Sequence, residues 1–189
     1  MSAPPVLRGG GWVLLVCLLL VAVISTATPD PATDVRRRWD DVQVGEWGQL
    51  DRVSARVTGV RLTRSALTQY DRPIVSEVTL VVVDFEASVR LEQVAFGEVT
   101  LHTADERDYD PRAEFGGLAY TQPGFTRRAT LVFEVPDDRV AGAELRVNPD
   151  GGSFDVYSAA ARVDLGLTRD TPLDTGPIRV GPPVVEVTS

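Results

Sequence analysis

Between Ser76 and Ala87 the chain reads SEVTLVVVDFEA, a stretch nearly continuous in apolar residues and rich in valine. Branching at Cβ stiffens χ1 and suits a side chain to the pleated surface of a sheet, so the run predicts a strand. Its period of two is lost, as happens when both faces of a strand are buried. The segment therefore predicts a central strand that must be covered on both sides.

The rest of the chain reads as further β structure. In RVSARV, Val53, Ala55 and Val57 alternate with Arg52, Ser54 and Arg56, and the parity then slips to Val60 and Leu62 across Thr58 and Gly59, which predicts a bulge there. GEVTLHT places Val99 and Leu101 on one face and Thr100 and His102 on the other, ahead of an acidic turn, ADERDYDP, from Ala104 to Pro111. Pro123 and Gly124 suit a turn in which glycine accepts a positive φ. After it, Ala129, Leu131, Phe133 and Val135 point one way, until Pro136 ends the strand because it cannot donate to a ladder. AELRVNPDGGSFDVY predicts a strand, a turn at Asp150-Gly151 and a second strand, and AARVDLGL puts Ala161, Val163, Leu165 and Leu167 on one parity. Seven to eight short strands with no amphipathic helix among them predict an all-β fold, an antiparallel β-sandwich over residues 42–167. Residues 168–189, with four prolines, predict an edge strand or a tail.

The N-terminus is of a different kind. WVLLVCLLLVAVI, Trp12 to Ile24, lies inside an uncharged stretch from Gly9 to Pro29. A helix over Gly9 to Thr28 spans about 30 Å, the thickness of a bilayer core. The expected order is an N-terminal tail (1–10), a transmembrane signal-anchor (11–28) and a linker (29–41) leading to the sandwich outside the cell membrane. A signal peptide fits the same residues, with Ser25 and Ala27 at cleavage positions, and would release a secreted domain. Lys/Arg counting at Arg36, Arg37 and Arg38 favours the opposite orientation, whereas the short tail before the apolar run is the layout of an export signal.

Charge and cysteine usage narrow the partners. The chain carries 27 acids against 19 bases, a formal charge of −8, and every base is arginine. No basic stripe of the sort that nucleic acid requires is present, so nucleic acid is not an expected partner. Cys17 is the single cysteine and lies in the apolar run, which excludes an intrachain disulfide. No enzyme and no cofactor is expected from so few catalytic side-chain types.

His102 is the one side chain that titrates near neutrality in its unperturbed form, and its parity predicts a surface position on a polar face. Asp105, Asp108 and Asp110, with Glu106 between them, offer oxygens for calcium, with Asp84 or Asp137 as added ligands from other strands. Their spacing is not that of an EF-hand loop, and a solvated hairpin turn is the expected use. Arg36, Arg37, Arg38 and Trp39 are candidates for contact with the membrane surface, and Arg127 and Arg128 stand beside Phe125 as a second basic spot. A binding or accessory module with an envelope or membrane protein as partner is the expectation. The alternative is a small structural subunit of a membrane complex; an enzyme or a calcium-binding domain comes third.

VGEWGQLDRVSARVTGVRL, EVTLVVVDFEA, the acidic turn with Tyr109, TQPGFTRRATLVFEVPDD and AELRV, taken in order, resemble bacterial extracellular domains of unknown function with a telokin-like, immunoglobulin-like fold. Those domains are similar to the secreted immunoprotective antigen of mycobacteria. The resemblance runs from Val44 to Leu167; DFEAS stands where those domains usually carry an asparagine after the valine-rich strand. It implies an immunoglobulin-like sandwich, export or a single N-terminal anchor, and binding rather than catalysis, with no catalytic residues to transfer.

Overall fold

A computed structural model describes residues 38–50, 53–91, 93–94, 96, 98–116, 121–149 and 159–188. The helix expected over 11–28, Arg36, Arg37 and the turn at Asp150-Gly151 lie outside them. No helix among the described residues is long and apolar enough to cross a membrane.

The valine-rich run belongs to a long hairpin of β3 (Val53–Leu67) and β4 (Pro73–Val89). On the other side of β4 lies β7 (Phe125–Val135), antiparallel to it, so β4 is central. The bulge predicted from parity is present, with the register shifting between Val57 and Gly59. Val57 pairs with Phe85 before the shift and Val60 with Val83 after it, which keeps apolar side chains on one face while their sequence parity changes. Gly124 takes φ 81° in the turn before β7.

A second sheet packs on this face. It runs β1 (Arg38–Gln43), β9 (Ala159–Asp164), β8 (Glu144–Asn148), β5 (Glu98–His102) and β6 (Asp108–Tyr109), with β1 parallel to β9 and the other pairs antiparallel. Val81, Val83, Phe85, Leu131 and Phe133 of the first sheet meet Leu101, Leu145, Val147, Ala161 and Val163 of the second. Phe96 adds an edge-to-face contact with Phe85, the ring centroids 5.9 Å apart. The fold is an all-β sandwich, with no α-helix among the described residues.

The strand inventory is larger than the seven to eight expected. Residues 38–41, read as linker, form most of β1: RWDDVQ has no alternation, and its partner lies more than a hundred positions away. The 168–189 segment supplies β10 (Leu173–Asp174) and β11 (Ile178–Arg179), both parallel to β3, and β12 (Val184–Val187), antiparallel to β7 at the sheet edge. A short β2 (Gly48–Leu50) joins the other end of β3.

This segment also covers the second face of β4. Leu80 and Val82 join Val132, Ala66, Ile178, Val180 and Phe115 in a separate small core on the outer side of the sheet. Phe115 comes from a 3-10 turn, Ala113–Phe115, and is fully buried. Truncating a buried phenylalanine costs about 3–5 kcal/mol. Phe115→Ala is accordingly expected to lower unfolding stability by about 3 kcal/mol or more, and Ile178→Ala by about 2 kcal/mol or more. Denaturant unfolding measures both.

Candidate functional site

The acidic turn closes on itself through its histidine. β5 ends at His102 and the chain returns as β6, pairing His102 with Asp108. His102 Nδ1 lies 2.8 Å from Asp108 Oδ1, and Nε2 lies 3.4 Å from Glu106 Oε2. His102 is 6% exposed, so the expected surface position is corrected: the returning turn covers it. Asp105 accepts from Thr103 Oγ1 at 2.6 Å and pairs with Arg107 and Arg139 at 3.2 and 3.3 Å. The Thr103 hydroxyl first, and then the two arginines, hold the Asp105 carboxyl below its ordinary value of 3.8.

The calcium candidates are thus divided among different partners: Asp105 faces arginine, Asp108 faces histidine and Asp110 is exposed. Among the described residues no group of three or more His, Cys, Asp or Glu is placed to hold a metal ion. Asp84 accepts from Thr130 Oγ1 at 2.8 Å and Arg61 Nη2 at 3.0 Å. Asp137 accepts from the amide and hydroxyl of Thr79 at 3.0 and 2.7 Å and pairs with Arg64. The Thr79 hydroxyl is the main reason that its pKa lies below 3.8, with Arg64 adding to it.

Two arginine networks cover the outer faces of the sheets. On β4, Glu86 is 7% exposed, yet its two oxygens meet Arg56 and Arg128 at 2.7 Å each. The three residues lie side by side in register across β3, β4 and β7. Arg56 also lies over the Trp47 ring, 4.5 Å from its centroid. On the second sheet, Trp39 lies under the guanidiniums of Arg146 and Arg162, at 5.5 and 5.4 Å. Trp39, a candidate for the membrane surface, is therefore half-buried on a sheet face, while Arg38 beside it is exposed.

The edge at β12 is built differently. Thr188 N donates to Gly124 O at 2.8 Å, continuing the register in which Glu186 opposes Thr126 and Val184 opposes Arg128. Bonded and non-bonded pairs alternate in an antiparallel ladder, so the N–H and C=O of Val185 and Val187 turn away from β7. The two valine side chains are 52% and 75% exposed, and Phe125, opposite Val187, is also exposed. Native edge strands are usually blunted by shortness, charge, proline or a bulge. β12 is four residues long and carries Glu186, but within it there is no lysine, proline or bulge. Opposite Val185, the buried Nε of Arg127 has no hydrogen-bond partner among the described residues. On the other face Glu186 pairs with Arg128 at 3.4 Å. Their adjacency to Phe125 in the sequence marked Arg127 and Arg128 as a basic spot, but only the register shows that they flank an open edge.

No family model matches the chain, and no curated protein is similar to it. Among solved structures, the yjhA protein from Bacillus subtilis is similar over 65% of this chain and 99% of its own, at 12% identity and a TM-score of 0.49. An uncharacterized β-sandwich protein from Clostridium difficile 630 is similar over 68% of this chain and 95% of its own, at 11% identity and a TM-score of 0.44. The resemblance to the mycobacterial antigen rests on the sequence blocks alone.

The lowered carboxyls of Asp105 and Asp137 fix the sign of an acid effect. A carboxyl whose folded pKa lies below its unfolded value contributes stability that is present above the unfolded value, 3.8 for both, and is lost as pH falls through the folded one. Asp137→Asn keeps the side-chain oxygen that faces Thr79 but cannot ionise. The variant is expected to melt below the wild type near pH 7, and the gap to shrink as pH falls from about 5 toward 2. Thermal melts across that range measure it.

Proposed function

We propose that the chain is a non-enzymatic binding module, anchored in the cell membrane by its N-terminal segment and carrying an immunoglobulin-like sandwich on the extracytoplasmic side. Its partner is a protein of the envelope that presents an extended segment to β12. The open edge carries this reading: outward N–H and C=O groups at Val185 and Val187, flanked by exposed valines, are what an added strand uses for affinity and side-chain selection. The uncharged apolar stretch from Gly9 to Pro29 supports the anchor.

Val185→Pro tests the edge with little effect on the fold, because the amide it removes faces away from β7. The expected outcome is a loss of about 1 kcal/mol or less in stability and at least a tenfold loss in capture of a crosslinked partner from native membranes. Val187→Arg is expected to act in the same direction, by placing a charge where the partner strand packs. Equal capture by wild type and both variants overturns the reading.

A further inference from the structure

The tip of the β3–β4 hairpin and the 3-10 turn at Ala113–Phe115 enclose a cleft of about 490 Å³. Small-ligand clefts typically measure about 300–1,000 Å³. The hairpin tip is held tightly: Thr68 N donates to Arg72 O at 3.0 Å, Arg72 N donates to Thr68 Oγ1 at 3.2 Å, and Asp71 sits at φ 59° and pairs with Arg179. Tyr70, within this turn, is 76% exposed, and its hydroxyl has no partner among the described residues.

Two arginines line the cleft in different states. Arg112 donates to Glu134 Oε2 at 2.5 Å and to Glu114 Oε1 at 2.8 Å, so its fork is occupied. The Arg72 guanidinium has no carboxylate, carbonyl or ring partner among the described residues. In an acidic chain whose other described arginines mostly hold carboxylates, this leaves one uncompensated positive charge beside an exposed aromatic ring. Gln69 and Glu114 complete the polar lining, and Pro73 and Ile74 the apolar part.

We propose that this cleft binds an acidic sugar, a uronate unit of a saccharide. Arg72 takes the carboxylate with its planar fork. Tyr70, Pro73 and Ile74 offer apolar surface to the pyranose ring, and Gln69 and Glu114 bond its hydroxyls. A purely aromatic acid fits the ring and the guanidinium but leaves the Gln69 amide covered without a partner, a cost that hydroxyls avoid. The site is independent of the β12 edge, and neither proposal depends on the other.

Titration of the full-length chain with D-glucuronate, trigalacturonate, D-glucose and benzoate, followed by ligand-observed NMR, tests the assignment. Glucuronate or trigalacturonate is expected to bind at least about tenfold more tightly than glucose and benzoate. Arg72→Gln is expected to abolish the preference for acid over neutral sugar, and Tyr70→Ala to weaken both sugars. Both positions are exposed, so unchanged melting curves separate loss of binding from loss of fold. A larger gain for the trimer assigns a polymer as the source, and equal affinity assigns the free acid; either supports the site. No uronate binding at about 10 mM, an unaltered preference in Arg72→Gln, or stronger binding of benzoate overturns it.

Discussion

A strand that is apolar on both faces cannot rest against one sheet alone, and β4 is such a strand. Val81, Val83 and Phe85 are satisfied by the facing sheet, as in any sandwich. Leu80 and Val82 point the other way, toward what would otherwise be water. At about 25 cal/mol per Å² of apolar surface, exposing two such side chains is costly on the scale of a domain's total stability. The chain covers them with Phe115 from a loop and with Ile178 and Val180 from the segment after β9. The C-terminal segment is therefore part of the core.

The same outer face changes character partway along β4. Beyond Val82 the outward residues become Asp84 and Glu86, and arginines and threonines from β3 and β7 replace apolar cover. A buried carboxylate is costly unless paired, so removing an arginine beside it leaves part of its charge uncompensated. Glu86 is in that position, with Arg56 on one side and Arg128 on the other. Arg128 also reaches Glu186 on β12, so the charged half of the face ties the edge strand to the centre of the sheet.

Much of the fold was legible because period-two patterns report burial directly. The bulge at Thr58-Gly59 showed as a parity slip, and β7 showed its inner face in Ala129, Leu131, Phe133 and Val135. What stayed hidden depended on long-range pairing. RWDDVQ carries no alternation, so β1 emerges only from its parallel register with β9. His102 shares the parity of Thr100, and only the return of the chain at Asp108 buries it. The candidate sites were harder still. VVEV reads as extended in any context, but which of its amides face outward follows from pairing with β7. The cleft at Tyr70 and Arg72 is closed by Arg112 and Glu114, about forty residues away, and no local spacing announces that meeting.

The parallel seam between β11 and β3 constrains how the molecule comes into being. Thr63 Oγ1 reaches the carbonyl of Gly176, 113 positions along the chain, and Ile178 pairs with Ala66 nearby. Contacts between such distant positions close late, because the entropy of the intervening loop must be lost before they form. Until Val180 has been synthesised and docked, Leu80 and Val82 form a sticky stripe on an unfinished hairpin. A chaperone on the side of the membrane where the sandwich folds would find its substrate in that stripe.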